Sequence, residues 1–178
     1  MPPAKHNVYI VGFMASGKTE MGRLLAKRLG WEFLDTDSMV VKTARTTIAR
    51  IFERRGEKYF RTLEVGAVAK AARGRGRVVS VGGGAVLDAR NVKLMRKTGV
   101  VMHRETPFGV LFKRLGGPRA ARPLWKGDKS DLQKLYRTRR AHYKTAAHVV
   151  LKTGECTVEQ AAMKAHKRLL KDNWITHE

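Results

Sequence analysis

The segment Gly12-Phe13-Met14-Ala15-Ser16-Gly17-Lys18-Thr19 constrains this chain more than any other. It matches G-x-x-x-x-G-K-[ST], a spacing that wraps backbone around a phosphate group. The flanks fit that reading. Asn7 to Val11 is a short apolar run with Val, Tyr and Ile, which predicts a buried strand. Beyond the motif, Met21, Leu24, Leu25 and Leu29 recur at helical spacing, and Gly30 supplies a stop. Between such a strand and helix, the glycines allow a tight turn that aims the N–H groups of Met14, Ala15, Ser16, Gly17, Lys18 and Thr19 inward as donors. The positive end of the helix dipole adds to the attraction. Lys18 offers a mobile cation to β- and γ-phosphates, and the Thr19 hydroxyl is placed to ligate Mg²⁺.

The remaining pattern alternates strands with helices. Short strands are predicted at Glu32 to Asp35, Arg77 to Val81, Gly99 to His103 and His148 to Leu151. Residues 38 to 73 read as helical, with breaks near Thr46 and Gly56. Asp88 suits the N-cap of a helix through Lys97, and Thr106-Pro107 opens another through about Leu115, with Thr as cap and Pro in the first turn. Gly116 to Lys129, rich in Gly, Pro, Arg and Lys, reads as a mobile loop; helices follow over Asp131 to Thr145 and Thr157 to about Lys171. This alternation predicts an α/β domain, three layers around a parallel sheet.

At 178 residues the chain fits a single domain, and no apolar run approaches the roughly 18 residues of a membrane span. The apolar run near the N-terminus is too short for a signal-peptide core, and the lone Cys156 can form neither an internal disulfide nor a cysteine-rich metal site, so a reducing, cytoplasmic setting is expected. The formal net charge of +22 admits two readings: attraction to nucleic acid, or solvated basic faces on an enzyme with anionic substrates. The basic residues are spread along the chain with little aromatic interleaving, which favours the second and disfavours nucleic acid.

Asp35-Thr36-Asp37 closes the second strand, at the edge of the sheet where open α/β folds bind ligands. Phosphoryl transfer needs a carboxylate to hold Mg²⁺ or its waters, and gains from one that takes the proton of the attacking hydroxyl. Asp35 suits the first task and Asp37 the second; alternatively, one of the two only caps the next helix.

From here the chain resembles the shikimate kinase family. The resemblance rests on the phosphate loop and following helix (Gly12 to Leu29, including Gly22, Leu25 and Ala26), on Asp35-Thr36-Asp37, and on Ile51-Phe52-Glu53, Gly56-Glu57, Phe60-Arg61 and Leu63-Glu64. It continues through Gly82-Gly83-Gly84-Ala85, Arg122-Pro123-Leu124, and Arg139 with Tyr143, all in order from residue 8 to about 151. It implies a nucleoside monophosphate kinase-like fold with a five-stranded sheet in the order 2-3-1-4-5. It also implies a substrate-binding insertion over about residues 36–63, a mobile lid over about 115–127, and a monomer.

The implied reaction is ATP plus shikimate giving ADP plus shikimate 3-phosphate. Asp37 would hold the shikimate hydroxyls and act as base, with Lys18 and Arg122 as its catalytic companions. Arg61 and Arg139 would bind the substrate carboxylate, and the turn at Gly82, Gly83 and Gly84 would offer backbone donors. Asp35 and Thr19 would hold Mg²⁺, Arg122 would arrive with the lid, and Arg114 would flank adenine. The chemistry is sound on its own terms, because a planar guanidinium meets a carboxylate through two parallel hydrogen bonds.

Plainer readings stand beside these. Arg61 could instead pair with Glu57 or Glu64 along a helix; Arg139 has neighbours in Arg137 and Arg140; Arg122 has competitors in Arg119 and Lys126. Glu64 suits orienting an arginine, while His103, His148, the three tryptophans and Cys156 suit packing. Three departures from the family pattern stand out: Leu151 to Gly154 lacks a customary acidic residue, Val81 precedes the triple glycine where threonine is common, and Trp125 follows Arg-Pro-Leu. Two other functions remain open, a kinase for another hydroxylated acid such as gluconate and a basic phosphate-loop protein that binds nucleic acid.

Overall fold

A computed structural model of the protein describes residues 7–116 and 128–176. The chain runs β1 (Asn7–Val11), α1 (Lys18–Leu29), β2 (Glu32–Asp35), α2 (Thr36–Ala44), α3 (Ile48–Ala72), β3 (Arg77–Ser80), a 3₁₀ turn (Ala85–Leu87), α4 (Ala89–Thr98), β4 (Val100–Glu105), α5 (Phe108–Arg114), α6 (Lys129–Ala146), β5 (Val149–Lys152) and α7 (Val158–Lys171). The five strands form one sheet in the order β2-β3-β1-β4-β5, and every pairing is parallel. The expected α/β architecture and strand order are both present.

All five residues of β1 are buried, as the apolar run requires of a central strand. Because successive side chains alternate, Val8 and Ile10 face one layer and Tyr9 and Val11 the other. The first layer is α1 and α7, through Met21, Leu25, Ala26, Ala161, Ala165 and Leu169. The second comes from α3 to α6, through Val68, Met95, Leu111, Leu132 and Tyr143. A smaller apolar cluster, Val40, Ile51, Phe60 and Ala67, holds α2 against α3.

The helix breaks follow local chemistry. After α2, Arg45 takes a left-handed conformation (φ 52°), and the Thr47 hydroxyl then caps α3 by accepting from the Arg50 N–H at 3.3 Å. Gly56 interrupts α3 with φ 76° and ψ 174°, a backbone state that suits glycine.

Elsewhere the boundaries move. Helix α2 begins at Thr36 rather than residue 38, because Asp35 is its N-cap. Strand β4 continues to Glu105, since β5 pairs with it as far as Glu105 opposite Lys152. Pro107, not Thr106, is the N-cap of α5; Thr106 is buried, with its hydroxyl 3.3 Å from that of Thr153. Helix α6 starts at Lys129 behind an Asp128 cap, so the loop read over 116–129 ends earlier; its residues 117–127 lie outside those described.

The parallel registers place Ser80 beside both Ile10 and Asp35, so the loops after β1, β2 and β3 leave the same edge of the sheet together. Gly22 lets α1 lie close to that sheet: a Cβ there would stand 2.7 Å from the Phe33 ring. Gly22→Val is therefore expected to destabilise the fold by about 1–3 kcal/mol through overpacking. The urea midpoint should fall with an unchanged m-value.

Candidate active site

Two cavities open at the carboxyl edge of the sheet. The larger, about 570 Å³, is lined by Met14, Ala15, Gly17, Lys18 and Thr19 of the phosphate loop, with Asp35, Arg104 and Arg114 among its other walls. The smaller, about 290 Å³, is lined by Arg61, Arg139, Gly83, Gly84 and the apolar rings of Phe52 and Phe60, among others. Asp37, Met14 and Gly83 line both, so Asp37 stands where the two spaces meet.

The phosphate loop has the expected form. Gly17 is left-handed (φ 80°) immediately before α1, and Ala15 also has positive φ (58°). Lys18 Nζ donates to the Phe13 carbonyl at 3.0 Å, folded back along the loop. Ser16 is buried, and among the described residues its hydroxyl has no hydrogen-bond partner. The Thr19 hydroxyl donates to Asp35 Oδ2 at 3.0 Å and lies 3.3 Å from the Ser80 hydroxyl. Asp35 Oδ1 accepts the Ser38 N–H at 3.1 Å, so the capping role is real for this residue, while its other oxygen faces Thr19.

Among the described residues no cluster of three or more His, Cys, Asp or Glu side chains could cage a metal. Beside the phosphate loop, the Asp35 carboxylate stands with the hydroxyls of Thr19 and Ser80, a hard oxygen donor set that fits Mg²⁺ completed by phosphates and water.

The acceptor side is built by cross-ties that sequence spacing does not reveal. Asp37 lies in the first turn of α2. The buried Thr36 hydroxyl accepts the Gly82 N–H at 2.9 Å, fastening the start of α2 to the glycine turn. Gly82 therefore departs from its expected role as a ligand donor: its N–H is already engaged, and it lines neither cavity. It provides space instead, since a Cβ there would stand 2.6 Å from Asp37 Oδ1 and 2.8 Å from Glu64 Oε1. A Cβ on Gly84 would collide with the Arg61 guanidinium. The Gly83 carbonyl accepts from Arg139 Nη1 at 2.8 Å and from the Tyr143 hydroxyl at 2.6 Å, donors one turn apart on α6.

Arg61 pairs with Glu57 and Glu64, each at 2.8 Å, so the plain helix-face reading holds; the same side chain also lines the smaller cavity. Glu64 is buried, and among the described residues its Oε1 has no hydrogen-bond partner. Burial, with the Asp37 charge nearby, pushes its carboxyl up to about 7 against the pull of Arg61 and Arg139. Arg61 loses by burial, but Glu64 and Glu57 more than offset this and raise its pKa. His103 is buried against Tyr143, and burial lowers it to about 4, which keeps it neutral. Arg122 and Trp125 lie outside the described residues.

Arg114 reaches the phosphate loop, its Nη1 lying 3.4 Å from the carbonyls of Ala15 and Ser16. Arg104, which sequence reading passed over, is buried in the wall of the larger cavity. A strand arginine with no motif around it gives no sequence signal.

A shikimate kinase family model matches residues 14–170. The shikimate kinase of Moorella thermoacetica is 44% identical over 138 residues, 77% of this chain and 79% of that protein. That of Symbiobacterium thermophilum is 40% identical over 166 residues, 92% of this chain and 95% of the other. Among solved structures, shikimate kinase from Acinetobacter baumannii in complex with shikimate superposes with a TM-score of 0.89 at 32% identity, covering 94% of each chain.

The Glu64 carboxyl gives a test with a definite sign. Its folded pKa of about 7 lies above the ordinary 4.5, so the native state binds the extra proton. Stability from this group is complete below about pH 4.5 and is lost as pH rises through about 7. Wild type should lose up to about 3 kcal/mol over that window relative to Glu64→Gln, read from urea unfolding at each pH.

Proposed function

The chain belongs to the shikimate kinase family, and from that premise we propose that it transfers the γ-phosphoryl group of ATP to the 3-hydroxyl of shikimate. The products are shikimate 3-phosphate and ADP. One observation carries the reading to this chain's own residues: Asp37 lines both the cavity containing Arg61 and Arg139 and the cavity built on the phosphate loop.

Shikimate is a ring with one carboxylate and three hydroxyls. Its carboxylate pairs with Arg61 and Arg139, and its ring lies against Phe52 and Phe60. Gly83 and Gly84 admit it close to the backbone, and Asp37 accepts a hydroxyl proton. As that proton passes to Asp37, the hydroxyl oxygen bonds to the γ-phosphorus and the bond to the β-phosphate oxygen breaks, releasing ADP. Met14 to Thr19 hold the phosphates through backbone donors, and Lys18 swings from the Phe13 carbonyl onto the β- and γ-oxygens. Thr19 and Asp35 would hold Mg²⁺, which would neutralise charge on the phosphates.

Three further readings are proposed with it. Residues 36–63 form the acceptor-binding insertion, supported by the apolar cluster that packs α2 on α3. Of the lid expected over about 115–127, residues 117–127 with Arg122 lie outside the described residues; Arg114, beside the phosphate loop, flanks adenine. The chain works as a cytoplasmic monomer, a reading that rests on the family resemblance and on the lone Cys156.

The test is an ADP-release assay with shikimate, gluconate and nucleoside monophosphates as acceptors. Turnover with shikimate is expected; turnover only with another acceptor overturns the reading. Asp37→Ala should abolish turnover, a fall of at least about 10²–10⁴-fold, while ATP still binds. Substantial residual activity would contradict Asp37 as base. Arg61→Ala and Arg139→Ala should each raise KM for shikimate by about 10–100-fold and leave KM for ATP near wild type.

A further inference from the structure

Arg104 is a cation in an unusual position. It is 1% exposed, among the most buried large side chains of the protein. Its Nη1 donates to the Gly17 carbonyl and its Nε lies 3.4 Å from the Thr153 hydroxyl; among the described residues no carboxylate comes within ion-pair distance. A buried cation without an anion is destabilising unless something balances it. Burial and then the charge of Arg114, against a smaller pull from the Glu20 carboxylate, lower its pKa to about 10, which still leaves it charged at neutral pH. The cavity it lines is the one built on the phosphate loop.

The contact with Gly17 has a direct consequence for that loop. A peptide group is a single dipole, and the unit carrying the Gly17 carbonyl carries the Lys18 N–H at its other end. That N–H is at the start of α1, where no helical carbonyl can accept it. A cation on the carbonyl oxygen draws electron density toward it and makes the N–H a stronger donor. Arg114, near the carbonyls of Ala15 and Ser16, acts in the same sense on the Gly17 N–H, while the Ser16 N–H is donated to the Phe13 carbonyl at 3.3 Å. Gly17 is also where Arg104 leaves no room: a Cβ there would stand 2.8 Å from its Nη1.

We propose that Arg104 is a positioning residue of the nucleotide site, its guanidinium polarising the Gly17–Lys18 peptide group from behind and supplying a buried positive charge that the phosphates of the nucleotide balance. The proposal rests on the nucleotide reading of the larger cavity and extends it to a residue outside the phosphate-loop motif. It predicts that Arg104 recognises phosphate rather than base, and that its charge matters rather than its bulk.

The test is calorimetric titration of the full chain with ADP and, separately, with adenosine. Arg104→Met keeps the volume and removes the charge, and should weaken ADP by at least about tenfold while changing adenosine affinity by less than about twofold. Arg104→Lys, which restores the charge, should recover ADP affinity to within a few-fold of wild type. Should Arg104→Met not fold, Arg104→Gln retains an N–H donor without charge and is expected to show the same selective loss of ADP. Unchanged ADP affinity in the neutral variants, equal losses for ADP and adenosine, or no recovery with lysine would each overturn the proposal. Failure of the wild-type protein to bind ADP would overturn the nucleotide reading itself, so the two are separable.

Discussion

The Asp37 carboxylate stands at the only wall that both cavities share among the described residues, together with Met14 and Gly83. Three constraints put it there. The parallel pairing of β2 with β3 sets Asp35 beside Ser80. The Gly82 N–H, bound by the buried Thr36 hydroxyl, anchors the first turn of α2 to the end of β3. The missing side chain at Gly82 leaves space that Asp37 and Glu64 fill, since any Cβ would stand within 2.6–2.8 Å of their oxygens. The middle residue of Asp-Thr-Asp is thus a fastener between two carboxylates with different surroundings: Asp35 accepts from Thr19, while Asp37 lines both cavities.

Charge is managed differently on the two sides. In the smaller cavity, Arg61 is held by Glu57 and Glu64, while Arg139 donates to the Gly83 carbonyl. These partners hold both guanidiniums at the cavity wall, an arrangement that would lower the ordering cost of binding an acid there. In the larger cavity the buried cation Arg104 has, among the described residues, carbonyl and hydroxyl hydrogen-bond partners only. A phosphate-binding site gains from such an imbalance, because its ligand brings several negative charges. Little of the +22 net charge enters either site: Arg23, Lys27 and Arg28 on α1 and Lys164, Lys167, Arg168 and Lys171 on α7 are exposed and line neither cavity.

Local chemistry explains what could be read in advance. The phosphate loop declared itself because glycine spacing, Lys18 and Thr19 are all dictated by one ligand at close range. Strand β1 and the breaks around Arg45 and Gly56 declared themselves through apolar runs and backbone preference. The strand order came from family resemblance, since residue patterns carry no information on which strands are neighbours.

What stayed hidden depends on contacts distant in sequence. Thr36 to Gly82 spans 46 positions, Arg139 to Gly83 spans 56 and Arg104 to Gly17 spans 87. Arg61 shows that two readings of one side chain need not compete, since pairing with its helix neighbours is what holds it at the cavity wall. Asp35 makes the same point as both a helix cap and a partner of Thr19.

A crystal structure of the chain with shikimate and a non-hydrolysable ATP analogue examines the arrangement at its decisive point, the gap between Asp37 and the γ-phosphorus. The acceptor hydroxyl should lie about 2.6–3.2 Å from an Asp37 oxygen and in line with the bridging bond, with the shikimate carboxylate between Arg61 and Arg139. Shikimate bound with no hydroxyl near Asp37, or with its carboxylate turned away from both arginines, would contradict it.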